Sequence, residues 1–156
     1  MYKRVLVPLD GSPVAESILP FVEQVAGPLD AQVILLSVIE SPSAGEALAS
    51  AGLVSPDIWR LRELEIKQYL ADVERRLGAK GIRVERRLQM GRAAEEILAA
   101  VPEAGIDLIA MTTQGRSGIA RLLVGSVAEA VLKASPVPVL MLRATPVAAK
   151  SASHAR

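Results

Sequence analysis

A single α/β domain, an open parallel sheet of five strands with helices on both faces, is what this sequence predicts from three observations. Short β-branched runs alternate with helical periodicity along the 156 residues, the pattern of parallel strands joined by crossover helices. Two of those runs, Val33-Ile34-Leu35-Leu36 and Leu108-Ile109-Ala110-Met111, are apolar at every position, so helices must cover both of their faces. Apolar residues make up 51% of the chain, enough to fill one substantial core at this length.

The first strand spans about Arg4–Pro8. Ser12 then offers a side-chain oxygen to the free N–H groups of a helix start. In the helix that follows, Ala15, Ile18, Leu19, Val22 and Ala26 share one face, and Pro20 should kink it. Gln32–Ile39 forms the second strand. Ser41 to Ser55, rich in Ser, Ala, Gly and Pro, is long enough to act as a mobile flap. Ser55-Pro56 opens a longer helix with Ile66, Leu70, Val73 and Leu77 inward, ending around Gly78 or Gly81. Arg60, Arg62, Glu63, Glu65 and Lys67 fit its solvated face. The third strand, Arg83–Gln89, is heavily charged, which is how an edge strand resists unwanted pairing. A helix from Ala93 to Val101 buries Ala94, Ile97, Leu98 and Val101, and Pro102 and Gly105 close it. The fourth strand is Asp107–Thr112, and the last helix runs to about Ala134. Pro138–Leu142 is the fifth strand, at the other edge. With the fourth strand beside the first, the order is 3-2-1-4-5. Residues 137–142 are apolar with few charges, and an exposed edge of that kind pairs with another chain, so a homodimer through it is expected. Residues 1–143 form the domain, and Ala144 to Arg156 reads as a disordered tail.

Composition excludes several functions. With 18 basic against 17 acidic residues, the overall charge gives no support to a nucleic-acid or anionic-membrane partner. The absence of cysteine removes disulfides, thiolate metal sites and cysteine nucleophiles. Tyr2 to Pro8 holds too short an apolar run for a signal peptide, and no run approaches the roughly 20 residues of a membrane span. A cytoplasmic location is therefore expected. Ser126 has no partner for a nucleophilic triad except His154, the sole histidine, which stands in the tail. Neither a Walker glycine-lysine pair nor a dinucleotide glycine triplet after the first strand is present.

What remains is the glycine segment. Met111-Thr112-Thr113-Gln114-Gly115-Arg116-Ser117-Gly118, followed by Gly125-Ser126, joins a strand end to a helix start. Without a Cβ, glycines let backbone N–H groups approach a phosphate, and a helix N-terminus adds partial positive charge. Asp10 ends the first strand, where open α/β sheets bind ligands. It is suited to accept a ribose or base hydrogen bond, and equally suited to a turn. The glycines have a flexible loop as their alternative reading.

Val5-Leu6-Val7-Pro8-Leu9-Asp10-Gly11-Ser12, Gly91-Arg92-Ala93-Ala94-Glu95-Glu96-Ile97, Gly115-Arg116-Ser117-Gly118 and Val124-Gly125-Ser126-Val127 together resemble the universal stress proteins, over nearly the whole chain. The resemblance implies a Rossmann-like, adenine nucleotide alpha-hydrolase-like fold and, in its ATP-binding members, a pattern of glycine, two residues, glycine, nine residues, glycine, then serine or threonine. Gly115, Gly125 and Ser126 satisfy its second part. Thr112 stands in place of the first glycine, where its Cβ and hydroxyl either crowd a ribose or supply it a hydrogen bond. By position, the resemblance implies Pro8, Leu9 and Asp10 near ribose and base, Val38 offering backbone groups to adenine, and Met111 and Thr112 flanking the nucleoside. It implies Gly115, Arg116, Gly125, Ser126 and Val127 at the phosphates. One histidine and no cysteine leave carboxylates as metal ligands, which suit a phosphate-bound magnesium ion better than zinc. The implied function is a homodimeric ATP-binding regulatory module in stress response. No base or water-orienting residue beyond Asp10 is evident, so binding rather than turnover is expected, with slow ATP hydrolysis and a structural interaction module as the alternatives.

Overall fold

The computed structural model describes residues 2–40, 56–113 and 125–143. The expected flap at Ser41–Ser55, the glycine-segment residues 114–124, with Gly115 and Arg116 among them, and the tail from Ala144 lie outside the described residues.

Five strands, β1 (Arg4–Pro8), β2 (Gln32–Glu40), β3 (Val84–Gly91), β4 (Leu108–Thr112) and β5 (Val139–Leu142), form one sheet in the order β3-β2-β1-β4-β5. Every neighbouring pair is parallel. Registers such as Val7↔Leu35 and Leu6↔Ile109 bring the carboxyl ends of β1, β2 and β4 to one edge of the fold. The helices are α1 (Pro13–Glu16), α2 (Leu19–Leu29), α3 (Pro56–Gly78), α4 (Ala93–Glu103) and α5 (Ser126–Ala134). Alternation along the strands splits the core in two. Val5, Val7, Val33 and Leu35 pack with Ile18 and Val22 of the α1–α2 region and with Leu70, Val73 and Leu77 of α3. Leu6, Ile34, Leu36 and Ile109 pack with Ile97 and Val101 of α4 and with Ala128 and Val131 of α5. Covering both faces is what the all-apolar strands require.

Charge does mark β3 as an edge. Glu85 pairs with Arg87 at 2.7 Å and with Arg4 at 3.0 Å, and Arg86 pairs with Glu74 at 2.7 Å. At the other edge, β5 carries Leu140 at 36% exposure beside half-buried Val139 and Met141.

Several element boundaries differ from expectation for local reasons. The first helix is two helices, interrupted at Ser17-Ile18, because Pro20 has no N–H to continue the ladder. The chain tightens instead, with i to i+3 bonds from Ser17 N–H to the Val14 carbonyl at 3.2 Å and from Ile18 N–H to that of Ala15 at 3.4 Å. Pro20 then sits in the first turn of α2, where a missing donor costs nothing. Pro102 does not stop α4, which runs on to Glu103 before Gly105 turns the chain at φ 58. The α4 stripe is also rotated: Ile97, Ala100, Val101 and Ala104 are buried, whereas Ala94 and Leu98 are only half-buried. The strands themselves begin or end one or two residues away from the expected limits, at Glu40, Val84, Gly91, Leu108 and Val139.

Candidate functional site

At the carboxyl ends of the strands a cleft of about 680 Å³ opens between α3 on one side and α4 and α5 on the other. Its floor is built by the strand ends. Pro8, Leu9 and Asp10 come from β1 and the turn after it; Ser37, Val38, Ile39 and Glu40 from β2; and Met111, Thr112 and Thr113 from β4 and the residue after it. Gly125, Ser126 and Val127 enter from the start of α5. Nine of the expected site residues, Pro8, Leu9, Asp10, Val38, Met111, Thr112, Gly125, Ser126 and Val127, thus line one cleft. Gly115 and Arg116 lie outside the described residues.

Asp10 is held by its own loop. The Ser12 N–H donates to Asp10 Oδ1 at 2.9 Å, and Gly11 adopts φ 82, a left-handed conformation open to glycine without strain. The turn reading of Asp10 and its position in the cleft therefore hold together. Beneath it, the Leu9 N–H donates to the Leu36 carbonyl at 2.8 Å, and the buried Ser37 hydroxyl donates to the Leu9 carbonyl at 2.7 Å. These two bonds pin the end of β1 to β2. Across the floor, the Gly125 N–H donates to the Thr113 carbonyl at 2.6 Å, which sets the start of α5 beside the end of β4. Gly125 has no side chain with which to cap α5, and Ser126 is exposed, so among the described residues the first turn of a nine-residue helix lines the cleft without a cap from its N-cap residue. Thr112 is only 6% exposed and presents little surface to a ligand.

The α3 wall was hidden from sequence reasoning. Trp59, Arg62, Glu65, Ile66 and Tyr69 all line the cleft, so Arg62 and Glu65, expected on a solvated face, stand at its rim, 3.4 Å apart. The signal that could have found them is the inward stripe of Leu70, Val73 and Leu77, which continues toward the N-terminus through Ile66. Tyr69 Oη is buried, and among the described residues no acceptor meets it in good hydrogen-bond geometry. Burial, and then the Glu16 carboxylate nearby, push its pKa well above the ordinary phenol value, so the hydroxyl keeps its proton. That carboxylate is itself engaged by Arg76 at 2.9 Å. Among the described residues no group of three or more His, Cys, Asp or Glu is placed to hold a metal ion, and no helix is long and apolar enough to cross a membrane.

The sequence model of the universal stress protein family matches residues 1–143. The chain is 32% identical over 145 residues to universal stress protein MJ0531 of Methanocaldococcus jannaschii, covering 92% of this chain and 83% of that one. Universal stress protein MJ0577 of the same organism is 31% identical over 155 residues, covering 92% and 96%. The solved structure of MJ0577 superposes with a TM-score of 0.81 over 93% of this chain and 98% of that one. A universal stress protein solved in complex with cAMP shares the fold at a TM-score of 0.67 and 23% identity, covering 92% of this chain and 98% of that one.

Proposed function

The chain belongs to the universal stress protein family, and on that premise we propose that it is an ATP-binding, homodimeric regulatory module of the cytoplasm. The observation that carries the reading is the convergence of Asp10, Val38, Thr112, Gly125 and Ser126 on one cleft, at the sheet edge where α/β folds take their ligands. Asp10 has a carboxylate for the ribose. The uncapped start of α5, with the Ser126 hydroxyl, is suited to phosphate oxygens. Thr112 lines the cleft at 6% exposure, and a universal stress protein solved in complex with cAMP holds an adenine nucleotide on this fold. Magnesium would arrive on the phosphates, since the described residues assemble no metal cluster of their own.

The cleft supports retention rather than turnover. In this reading Asp10 serves the ribose, and of the other described carboxylates of the cleft, Glu40 and Glu65, the second pairs with Arg62 at 3.4 Å. Dimerisation runs through β5, whose outer side has no strand neighbour among the described residues.

The test is to denature the purified protein and identify any nucleotide released, then to titrate ATP calorimetrically into nucleotide-free protein, with Gly125→Arg as control. ATP bound by wild type and not by a folded Gly125→Arg variant is expected. A wild type that is empty and does not bind added ATP overturns the reading in favour of a structural interaction module.

A further inference from the structure

The stripe of α3 that faces inward changes its neighbours along the helix. Leu70, Val73 and Leu77, each at most 1% exposed, pack on the sheet. Trp59, Arg62, Ile66 and Tyr69 follow the same 3- and 4-residue spacing toward the N-terminus, but there they line the cleft. Helical geometry thus carries an apolar, aromatic face onto an open cavity. The whole chain has one Trp, two Tyr and one Phe. Its Trp and one Tyr are on this wall, while Phe21 and Tyr2 are exposed elsewhere.

Trp59 and Tyr69 are half-buried side chains lining the cleft, and planar rings are the ligand groups that stack on such a surface. The opposite side is also apolar, with Ala93 and Ile97 of α4, and the end of β2 supplies Val38 and Ile39 between them. The uncapped start of α5 stands at the β4 end. Because β2 and β4 flank β1 in the sheet, the cleft has one end with aromatic and aliphatic side chains, where Glu40, Arg62 and Glu65 also stand, and another at the start of α5.

We propose that α3 is the base-stacking wall of this site, with Trp59 as its principal stacking side chain and Ile66 and Tyr69 extending the surface. The assignment rests on the nucleotide reading above, in which the base lies at β2 and the phosphates at α5, and adds the helix that stacks on the base. Stacking recognises any planar base, so the wall selects for a nucleobase and leaves the choice of adenine to the edge groups of β2.

Trp59 is the sole tryptophan, so its emission reports on the wall directly. The experiment measures ATP affinity by calorimetry for wild type, Trp59→Phe and Trp59→Ala, with thermal melts of each, and the tryptophan emission of wild type with and without saturating ATP. Expected are a changed emission on binding, a loss of roughly 5- to 100-fold for Trp59→Ala, and an affinity for Trp59→Phe within about 3-fold of wild type. Should Trp59→Ala not fold, the emission and the Trp59→Phe affinity decide. Unchanged emission at saturation, full affinity in folded Trp59→Ala, or a Trp59→Phe loss as large as that of alanine overturns the wall while leaving ATP binding intact. A wild type with no ATP binding overturns the nucleotide reading and the wall with it.

Discussion

Ser37 is a polar residue in an otherwise apolar strand, and replacing it with alanine removes the clamp that holds the end of β1. Ser37 is 3% exposed, and its hydroxyl donates to the Leu9 carbonyl at 2.7 Å. A neutral hydrogen bond contributes about 0.5–1.5 kcal/mol net, and an acceptor left buried without a partner costs about 1–3 kcal/mol. Ser37 also lines the floor of the cleft, so water reaching the freed carbonyl from that side holds the cost toward the lower part of this range. The Leu9 N–H bond to Leu36 survives the substitution, so the strand end stays attached by one of two bonds. A loss of about 1–2 kcal/mol is expected, read in urea as a lower midpoint with an unchanged slope. In a chain of this size that corresponds to a melting temperature lower by about 2–8 °C. Because Asp10 follows Leu9 directly, loosening the carbonyl also loosens the turn, and ATP affinity should fall by roughly 3- to 10-fold, the range of about 0.7–1.4 kcal/mol of lost positioning. An unfolding midpoint and an ATP affinity both equal to wild type would refute the clamp.

Leu140→Lys puts a charge on the exposed edge strand β5, and light scattering after size exclusion should show monomers where wild type is dimeric, with unchanged circular dichroism. A wild type that is monomeric, or a variant that stays dimeric, contradicts the β5 interface. The hydrogen bond from Arg87, with the Arg4 guanidinium also close, holds the Glu85 carboxyl below its ordinary value of 4.5 against partial burial. A depressed carboxylate pKa contributes stability that is present above the unfolded value and is lost as pH falls through the lower folded one. Wild type and Glu85→Gln should therefore differ most near neutral pH and converge below about pH 4.5; parallel stability curves down to low pH would disprove the coupling. The effect is small, since both Glu85 and Arg4 are 32% exposed and solvent screens the pair.

Local pattern and tertiary placement divide the information about this protein along a physical line. The five strands, their order and the charged edge at β3 were legible because strand periodicity and charge report how many faces of a strand are buried. The grouping of Asp10, Thr112, Gly125 and Ser126 was legible too, because topology alone brings the carboxyl ends of β1 and β4 together. The break at Ser17-Ile18 was not, since Pro20 announces a disturbance without saying whether the chain bends or restarts. Nor was the choice of Ala100 over Ala94 and Leu98 on α4, because several small and apolar residues fit more than one helical phase. The Ser37 clamp reads in sequence as a polar interruption of a strand, and only the neighbouring chain end supplies its acceptor. The α3 wall shows the limit most clearly. Periodicity tells which face of a helix is inward, but where along the helix that face leaves the core depends on packing across Leu70, Val73 and Leu77. That placement, decided in three dimensions, makes Ile66 and Tyr69 both a margin of the core and, with Trp59, the lining of a cleft.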